Sequence, residues 1–200
     1  MRDGLNIQQV ERLKPDLMGF IFYDASKRFV GSDFDKRLLP LPSHGIRNVA
    51  VFVNESRDMV QKIIDLYGFT AIQLHGSESP EYCESFRVAG ITVFKAFGIH
   101  PGFNWETLVP YVDVCDYFLF DTRTKGHGGS GEKFDWQMLH SYTLHRPFLL
   151  SGGIGVDDVR ALRSLNHPNL KGVDLNSRFE LIPGMKDVKL LEEFIIRFKQ

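Results

Sequence analysis

Long apolar runs are missing from this sequence. The longest, such as Met18 to Tyr23, fall far short of the ~20 residues a membrane-crossing helix needs. Met1-Arg2-Asp3-Gly4 leads into a polar stretch, not the apolar core of a signal peptide. Cysteine is scarce: Cys83 and Cys115 are the only two, and their spacing fits no metal site, so a cytosolic protein with reduced thiols is expected. Neither sign of charge dominates. Lys and Arg total 24 against 25 Asp and Glu, a formal net charge of -1. A nucleic-acid footprint needs a concentrated basic face, so neither nucleic acid nor membrane is an expected partner. No G-x-G-x-x-G turn follows an early strand, which removes support for a dinucleotide-binding fold. Low-complexity segments and long linkers are absent as well.

What remains is an ordinary globular composition, 43% hydrophobic and 24% charged. The 200 residues suit a single domain over 1–200, and 17 Phe promise a well-filled core. Short apolar runs alternate with helical patterns. A first helix carries Ile7, Val10 and Leu13 at helical spacing, with Asn6 as its expected cap, and Pro15-Asp16 ends it. The run Leu17-Met18-Gly19-Phe20-Ile21-Phe22 suits a strand buried on both faces. Similar strands are expected at 48–53, 71–74, 92–96, 117–121, 148–151 and 172–175, with helices at 57–67, 80–89, 156–165 and 187–198. This alternation predicts an α/β fold with a parallel sheet, either a (β/α)8 barrel or an open doubly wound sheet. The count is about seven strands with a helix first, whereas the barrel has eight strand–helix units.

In such barrels chemistry sits at the carboxyl ends of the strands. Asp121 ends one strand and can serve as a general acid or base, or as a cap or ion-pair partner. Four glycines in Gly126-His127-Gly128-Gly129-Ser130-Gly131 suit a loop that closes over a substrate, Gly128 and Gly129 being its lid residues, or a plain surface loop. Ser151-Gly152-Gly153-Ile154 follows a strand and leads into a helix. Asp174-Leu175-Asn176-Ser177-Arg178 follows the next strand. Bare amides in these two places suit a phosphate. Arg178 can fork a phosphate or pair with Glu180. Arg28, in Ser26-Lys27-Arg28, can hold a carboxylate bidentately, although a solvated basic turn is favoured on spacing alone. His75, in Gln73-Leu74-His75-Gly76, reads as a substrate contact, a proton carrier or a packed loop histidine, with packing slightly favoured. His140 and His145 lack the surroundings of a metal site.

In this order and spacing, the segments resemble phosphoribosylanthranilate isomerase over nearly the whole chain. They are Gly19-Phe20-Ile21-Phe22-Tyr23, Ser26-Lys27-Arg28-Phe29, Val51-Phe52-Val53-Asn54, Gln73-Leu74-His75-Gly76, Phe120-Asp121-Thr122, Gly128-Gly129-Ser130-Gly131, Phe134-Asp135-Trp136, Ser151-Gly152-Gly153, Asp174 and Pro183-Gly184-Met185-Lys186-Asp187. The resemblance implies a (β/α)8 barrel and an Amadori rearrangement without cofactor or metal. N-(5'-phosphoribosyl)anthranilate becomes the corresponding 1-deoxyribulose 5-phosphate, a step of tryptophan biosynthesis. It implies Asp121 as the general acid that opens the ribose ring to a Schiff base. A cysteine thiolate then removes the C2 proton, and the enolamine tautomerises to the ketone. It places Arg28 at the anthranilate carboxylate, His75 and Asp174 at the substrate, with Asp174 on its amine side, and Gly152, Gly153, Asn176 and Ser177 at the phosphate.

Two departures stand out. The family's Ser-Ser-Gly type loop reads Asn176-Ser177-Arg178 here. The family's opening strand ends in Cys-Gly, and that cysteine is the base. Met1-Arg2-Asp3 aligns just after it, so a late-assigned start codon or a shortened chain is expected. A barrel without that strand exposes two strand edges, which opens a route to self-association and predicts weak or absent activity. A fully active, sharp monomer on sizing would contradict both. Two other readings compete. Another sugar-phosphate barrel enzyme is one: an indole-glycerol-phosphate synthase calls for catalytic lysines such as Lys95 with partner glutamates, and a pentose-phosphate epimerase for metal-binding histidines, of which only His75 ends a strand. A non-catalytic barrel that binds a phosphorylated ligand is the other.

Overall fold

The computed structural model of the protein describes residues 1–122 and 133–199. Seven parallel strands follow one another: β1 (Leu17–Ile21), β2 (Arg47–Phe52), β3 (Ala71–Leu74), β4 (Thr92–Ile99), β5 (Tyr117–Thr122), β6 (Phe148–Leu150) and β7 (Leu170–Val173). Each pairs with the next, so spatial order equals chain order, the arrangement of a singly wound α/β sheet rather than a doubly wound one. β1 and β7 end the sheet, and among the described residues they do not pair with each other. Side chains from all seven strands line one central cavity, so the sheet curls around it. The sequence reading of about seven strands with a helix first holds for the described residues.

A parallel strand sends alternate side chains to opposite faces. Met18, Phe20, Ala50, Phe52, Ile72, Leu74, Phe118, Phe120, Phe148 and Leu150 point outward and are buried in the main core. The helices cover that face: α1 (Gly4–Glu11), α2 (Arg57–Tyr67), α3 (Pro80–Arg87), α4 (Val159–Ser164) and α5 (Val188–Lys199). Val60 and Ile64 of α2, Cys83 and Phe86 of α3, Leu162 of α4 and Leu191 and Phe194 of α5 enter the same core. The intervening residues form a smaller inner layer. Val49, Ala71 and Phe94 pack there with Leu17, Tyr117 and Leu149. The rings of Phe94 and Tyr117 stack with centroids 4.9 Å apart.

Helix starts follow local chemistry. Ser56 caps α2 by accepting from the Met59 N–H, and Ser79 caps α3 by accepting from Tyr82 N–H, with Pro80 in the first turn. Gly68 ends α2 at φ 73, a left-handed turn that glycine adopts without strain. Expected helix 156–165 is a 3₁₀ turn, Val156–Asp158, followed by the short α4. An antiparallel hairpin, β8 (Glu180–Ile182) and β9 (Met185–Lys186), was not expected and lies between β7 and α5.

Asn6 is not the cap of α1. Asp3 is, accepting from the Asn6 N–H at 2.8 Å. Asn6 sits inside the helix, buried, and its amide clamps β9: it donates to the Lys186 carbonyl at 2.9 Å and accepts from the Lys186 N–H at 2.7 Å. A contact spanning 180 residues leaves no local trace in sequence. Asn6→Ala orphans two buried backbone groups and is expected to destabilise the protein by about 1–3 kcal/mol. Asp3→Ala removes only a cap, worth about 1 kcal/mol. Urea denaturation of both variants checks the order.

Candidate active site

Strand parity decides which polar residues reach the cavity. Asp121 is in phase with Tyr117 and Leu119, and Gln73 and His75 are in phase with Ala71, so all three belong to the inner face. Lys95 is out of phase. It pairs in register with the outward Leu74, is nearly fully buried, and does not line the cavity. The lysine expected of a synthase-type barrel is therefore turned away from the site.

The cavity has a volume of about 750 Å³. Asp121, Arg28, His75, Asp174, Gly152, Gly153, Asn176 and Ser177, all nominated from sequence, line it, whereas Arg178 does not. Gly128 and Gly129 lie outside the described residues.

Asp121 closes β5 between two partners. Its Oδ1 accepts from the Thr122 N–H at 2.8 Å, and its Oδ2 lies 3.4 Å from His75 Nε2. His75 Nδ1 is 2.8 Å from Gln73 Nε2. An amide nitrogen only donates, so with the amide so assigned Nδ1 accepts, and the ring proton sits on Nε2, facing Asp121. The packed-loop alternative for His75 gives way to a place at the cavity wall.

The Gly152-Gly153 loop presses on the same acid. Gly152 has φ 92, and a Cβ there would lie 2.5 Å from Thr122 Oγ1 and 2.7 Å from Asp121 Oδ1. Only glycine lets the loop approach so closely. Asp158 braces the loop, accepting from Gly155 N–H at 2.7 Å and from Lys133 Nζ at 2.6 Å.

Asp174 follows β7 and accepts from Ser151 Oγ, at the end of the intervening β6, at 3.0 Å. Burial pushes its carboxyl above the usual range, reinforced by the Asp121 charge and opposed by Lys186.

Arg28 already holds a carboxylate. Its Nε and Nη2 clasp Glu180 Oε2 at 2.8 and 2.7 Å. The solvated-turn reading of Arg28 is thereby corrected: its side chain is only 14% exposed. Glu180 also accepts from the Gly184 N–H at 3.0 Å and lies 3.6 Å from Lys186 Nζ. Burial raises its carboxyl, but Arg28, Lys186 and the Gly184 amide outweigh that and hold it below the ordinary value. Arg178 does not pair with Glu180. Its guanidinium lies over Gly155, with Nε 3.1 Å from where a Cβ would stand.

Lys186 is the residue the sequence reading passed over. Buried in the wall, its Nζ donates to Leu175 O at 3.1 Å, Asn176 O at 3.2 Å and Asn176 Oδ1 at 2.9 Å, and so shapes the Asn176-Ser177 loop from beneath. It stood in the quoted Pro183–Asp187 motif, but nothing local announces a contact ten residues away. The two cysteines sit elsewhere. Cys83 in α3 and Cys115 before β5 are fully buried and neither lines the cavity. Among the described residues no three His, Cys, Asp or Glu side chains gather as a metal cluster.

Residues 3–197 match the family described as N-(5'phosphoribosyl)anthranilate (PRA) isomerase. The chain belongs to the N-(5'-phosphoribosyl)anthranilate isomerase family. It is 42% identical over 196 residues to the N-(5'-phosphoribosyl)anthranilate isomerase of Parabacteroides distasonis, covering 98% of this chain and 89% of the relative. With that of Phocaeicola vulgatus it shares 40% over 200 residues, covering 100% and 95%. The phosphoribosyl anthranilate isomerase of Thermotoga maritima superposes with a TM-score of 0.86 at 31% identity, over 100% of this chain and 95% of that one. A phosphoribosyl anthranilate isomerase in complex with reduced 1-(o-carboxyphenylamino)-1-deoxyribulose 5-phosphate superposes with a TM-score of 0.83 at 28% identity, again over 100% and 95%.

Asp174 carries a pH signature of this family member's site. The unfolded chain releases that proton near the ordinary value of 3.8, and the folded protein releases it higher. Between the two values the folded state binds more protons, so the stability tied to Asp174 falls as pH rises. Asp174→Asn is expected to raise the melting temperature at neutral pH relative to the parent, with the gain fading towards pH ~3, below the unfolded value. Calorimetric melting of both proteins across pH is the check, and an equal shift at all pH values would contradict it.

Proposed function

We propose that this protein is the phosphoribosylanthranilate isomerase of tryptophan biosynthesis, acting on N-(5'-phosphoribosyl)anthranilate without a cofactor. The carrying observation is that one cavity gathers the strand-end acid Asp121, the guanidinium of Arg28 and both glycine and asparagine loops. The substrate has three matching parts: a ribose ring to open, a carboxylate and a phosphate.

In this reading Asp121 gives its proton to the ribose ring oxygen. The bond from that oxygen to C1 breaks, and the anthranilate nitrogen takes up the positive charge as a Schiff base. A base removes the C2 proton, the electrons move to form the enolamine, and a proton returned to C1, with the C2 hydroxyl proton lost, yields the ketone. Asp174, at the carboxyl end of β7, serves the amine side. Glu180 takes one edge of the Arg28 guanidinium. A planar guanidinium has a second edge, and that edge suits the anthranilate carboxylate. The backbone amides of Gly152, Gly153, Asn176 and Ser177 suit the phosphate, and His75 contacts the substrate beside Asp121. The base the family supplies as a cysteine thiolate is at neither Cys83 nor Cys115, which are sealed in the outer core. Three finer readings accompany this one: a (β/α)8 barrel, a single domain across 1–200, and a cytoplasmic enzyme with reduced thiols. The curl of seven strands in chain order and the two free cysteines support them.

Loss of phosphoribosylanthranilate fluorescence tests the reading, with this chain beside a form carrying a family-type Cys-Gly strand ahead of Met1. Turnover by the extended form is expected. Turnover by neither, with the extended form folded, would replace the isomerase by a non-catalytic binder of a phosphorylated ligand. In the active form Asp121→Asn is expected to lower kcat by about 10²–10⁴-fold. Arg28→Ala is expected to act mainly on KM, and steady-state kinetics separates the two effects.

A further inference from the structure

Glu78 and Lys95 are a buried ion pair outside the cavity. Both side chains are 2% exposed, and Lys95 Nζ lies 3.2 Å from Glu78 Oε2. Taking two charges out of water is costly, and a buried pair is weak support for stability as such. Its hydrogen bonds show what it does. Lys95 Nζ donates to the Gly76 carbonyl at 2.8 Å and the Ala96 carbonyl at 3.0 Å, with the Leu74 carbonyl at 3.4 Å. Glu78 accepts from the Gly76 N–H at 3.0 Å and from the Asn54 N–H at 2.8 Å.

These contacts converge on the backbone either side of His75. Leu74 gives its carbonyl, and Gly76 gives both its N–H and its carbonyl. Asn54 is drawn into the left-handed region at φ 52, an uncommon place for a residue with a side chain, and its Oδ1 accepts from the Ser77 N–H at 2.6 Å. A Cβ at Gly76 would stand 2.3 Å from Asn54 Oδ1, so the turn is packed without slack. From the front, Gln73 sets the His75 ring and Nε2 faces Asp121. An ammonium with three donors and a carboxylate acceptor can grip both peptide groups of one turn from behind, and an apolar pair of equal volume cannot.

We propose that Glu78 and Lys95 are positioning residues that hold His75 against Asp121, a role that rests on the proposed work of Asp121 in the isomerase reaction. They act through the turn and touch no substrate. The ring's tautomer and its 3.4 Å separation from Asp121 depend on the pair, because a displacement of about an ångström is enough to lose a contact of this length.

The test uses the double variant Glu78→Gln/Lys95→Met, which removes both charges together and so leaves neither buried alone. Glu78→Asp keeps both charges but draws the carboxylate back from the Gly76 and Asn54 amides by one methylene, and answers the same question if the double variant does not fold. Nitrogen-15 NMR reads the His75 tautomer, with His75→Gln identifying its signal among the seven histidines. Affinity for reduced 1-(o-carboxyphenylamino)-1-deoxyribulose 5-phosphate is measured alongside. The parent is expected to hold the Nε2–H tautomer. The folded variant is expected to mix both tautomers and to bind the analogue about tenfold more weakly. A folded variant with an unchanged tautomer and unchanged affinity overturns the proposal. A parent that fails to bind the analogue counts against the isomerase reading, and the His75 signal still decides the role of the pair.

Discussion

The two-residue period of a parallel strand governs this molecule. Strands that curl around a cavity have an inside and an outside, and each residue's face is set by parity alone. At the end of β5 this puts Asp121 inside and Thr122 outside. At the end of β3 it puts Gln73 and His75 inside and Leu74 outside. In β4 it turns the long cation of Lys95 away from the chemistry. A one-residue slip in any strand would exchange the phenylalanines of the outer core with the polar groups of the wall. Burial of Phe20, Phe52, Phe118, Phe120 and Phe148 therefore also holds the site in register.

Polar groups then refine what parity places. Three charge clusters surround the cavity, each fastening a turn at a strand's carboxyl end. Glu78 and Lys95 fasten the turn after β3. Asp158 with Lys133 fastens the loop after β6. Glu180, Arg28 and Lys186 fasten the loop after β7 to the hairpin β8–β9 and to the segment after β1. Turns of this kind have few apolar side chains to bury, so hydrogen bonds to their backbone take the place of packing. The glycines mark where backbone must touch backbone, most tightly at Gly152 against Asp121 and Thr122.

Two carboxyls of the cavity have unlike surroundings. Asp121 stands between a backbone amide and an imidazole. Asp174 is half-buried beside a serine hydroxyl, and holds its proton more tightly than an ordinary aspartate. Two acids separated this way can take different roles in one reaction, as pairs of titratable groups with diverging environments do.

The strands and the strand-end candidates were legible in the sequence, because apolar runs, turn glycines and the spacing between them are local signals, whereas the order of the strands in the sheet was left open between a barrel and a doubly wound sheet. With the family resemblance added, the reading nominated Asp121, Arg28, His75, Asp174, Gly152, Gly153, Asn176 and Ser177, and all eight meet at one cavity. What tertiary structure alone decided are pairings between distant residues. Asn6 is a clamp on Lys186 and not a cap. Arg28 is clasped by Glu180 and not solvated. Lys186 lies beneath Asn176, and Lys95 faces Glu78 instead of the cavity. A pattern along the chain records which residues are apolar, polar or free to turn. It does not record which buried donor meets which acceptor, because that depends on segments up to 180 residues apart being packed together.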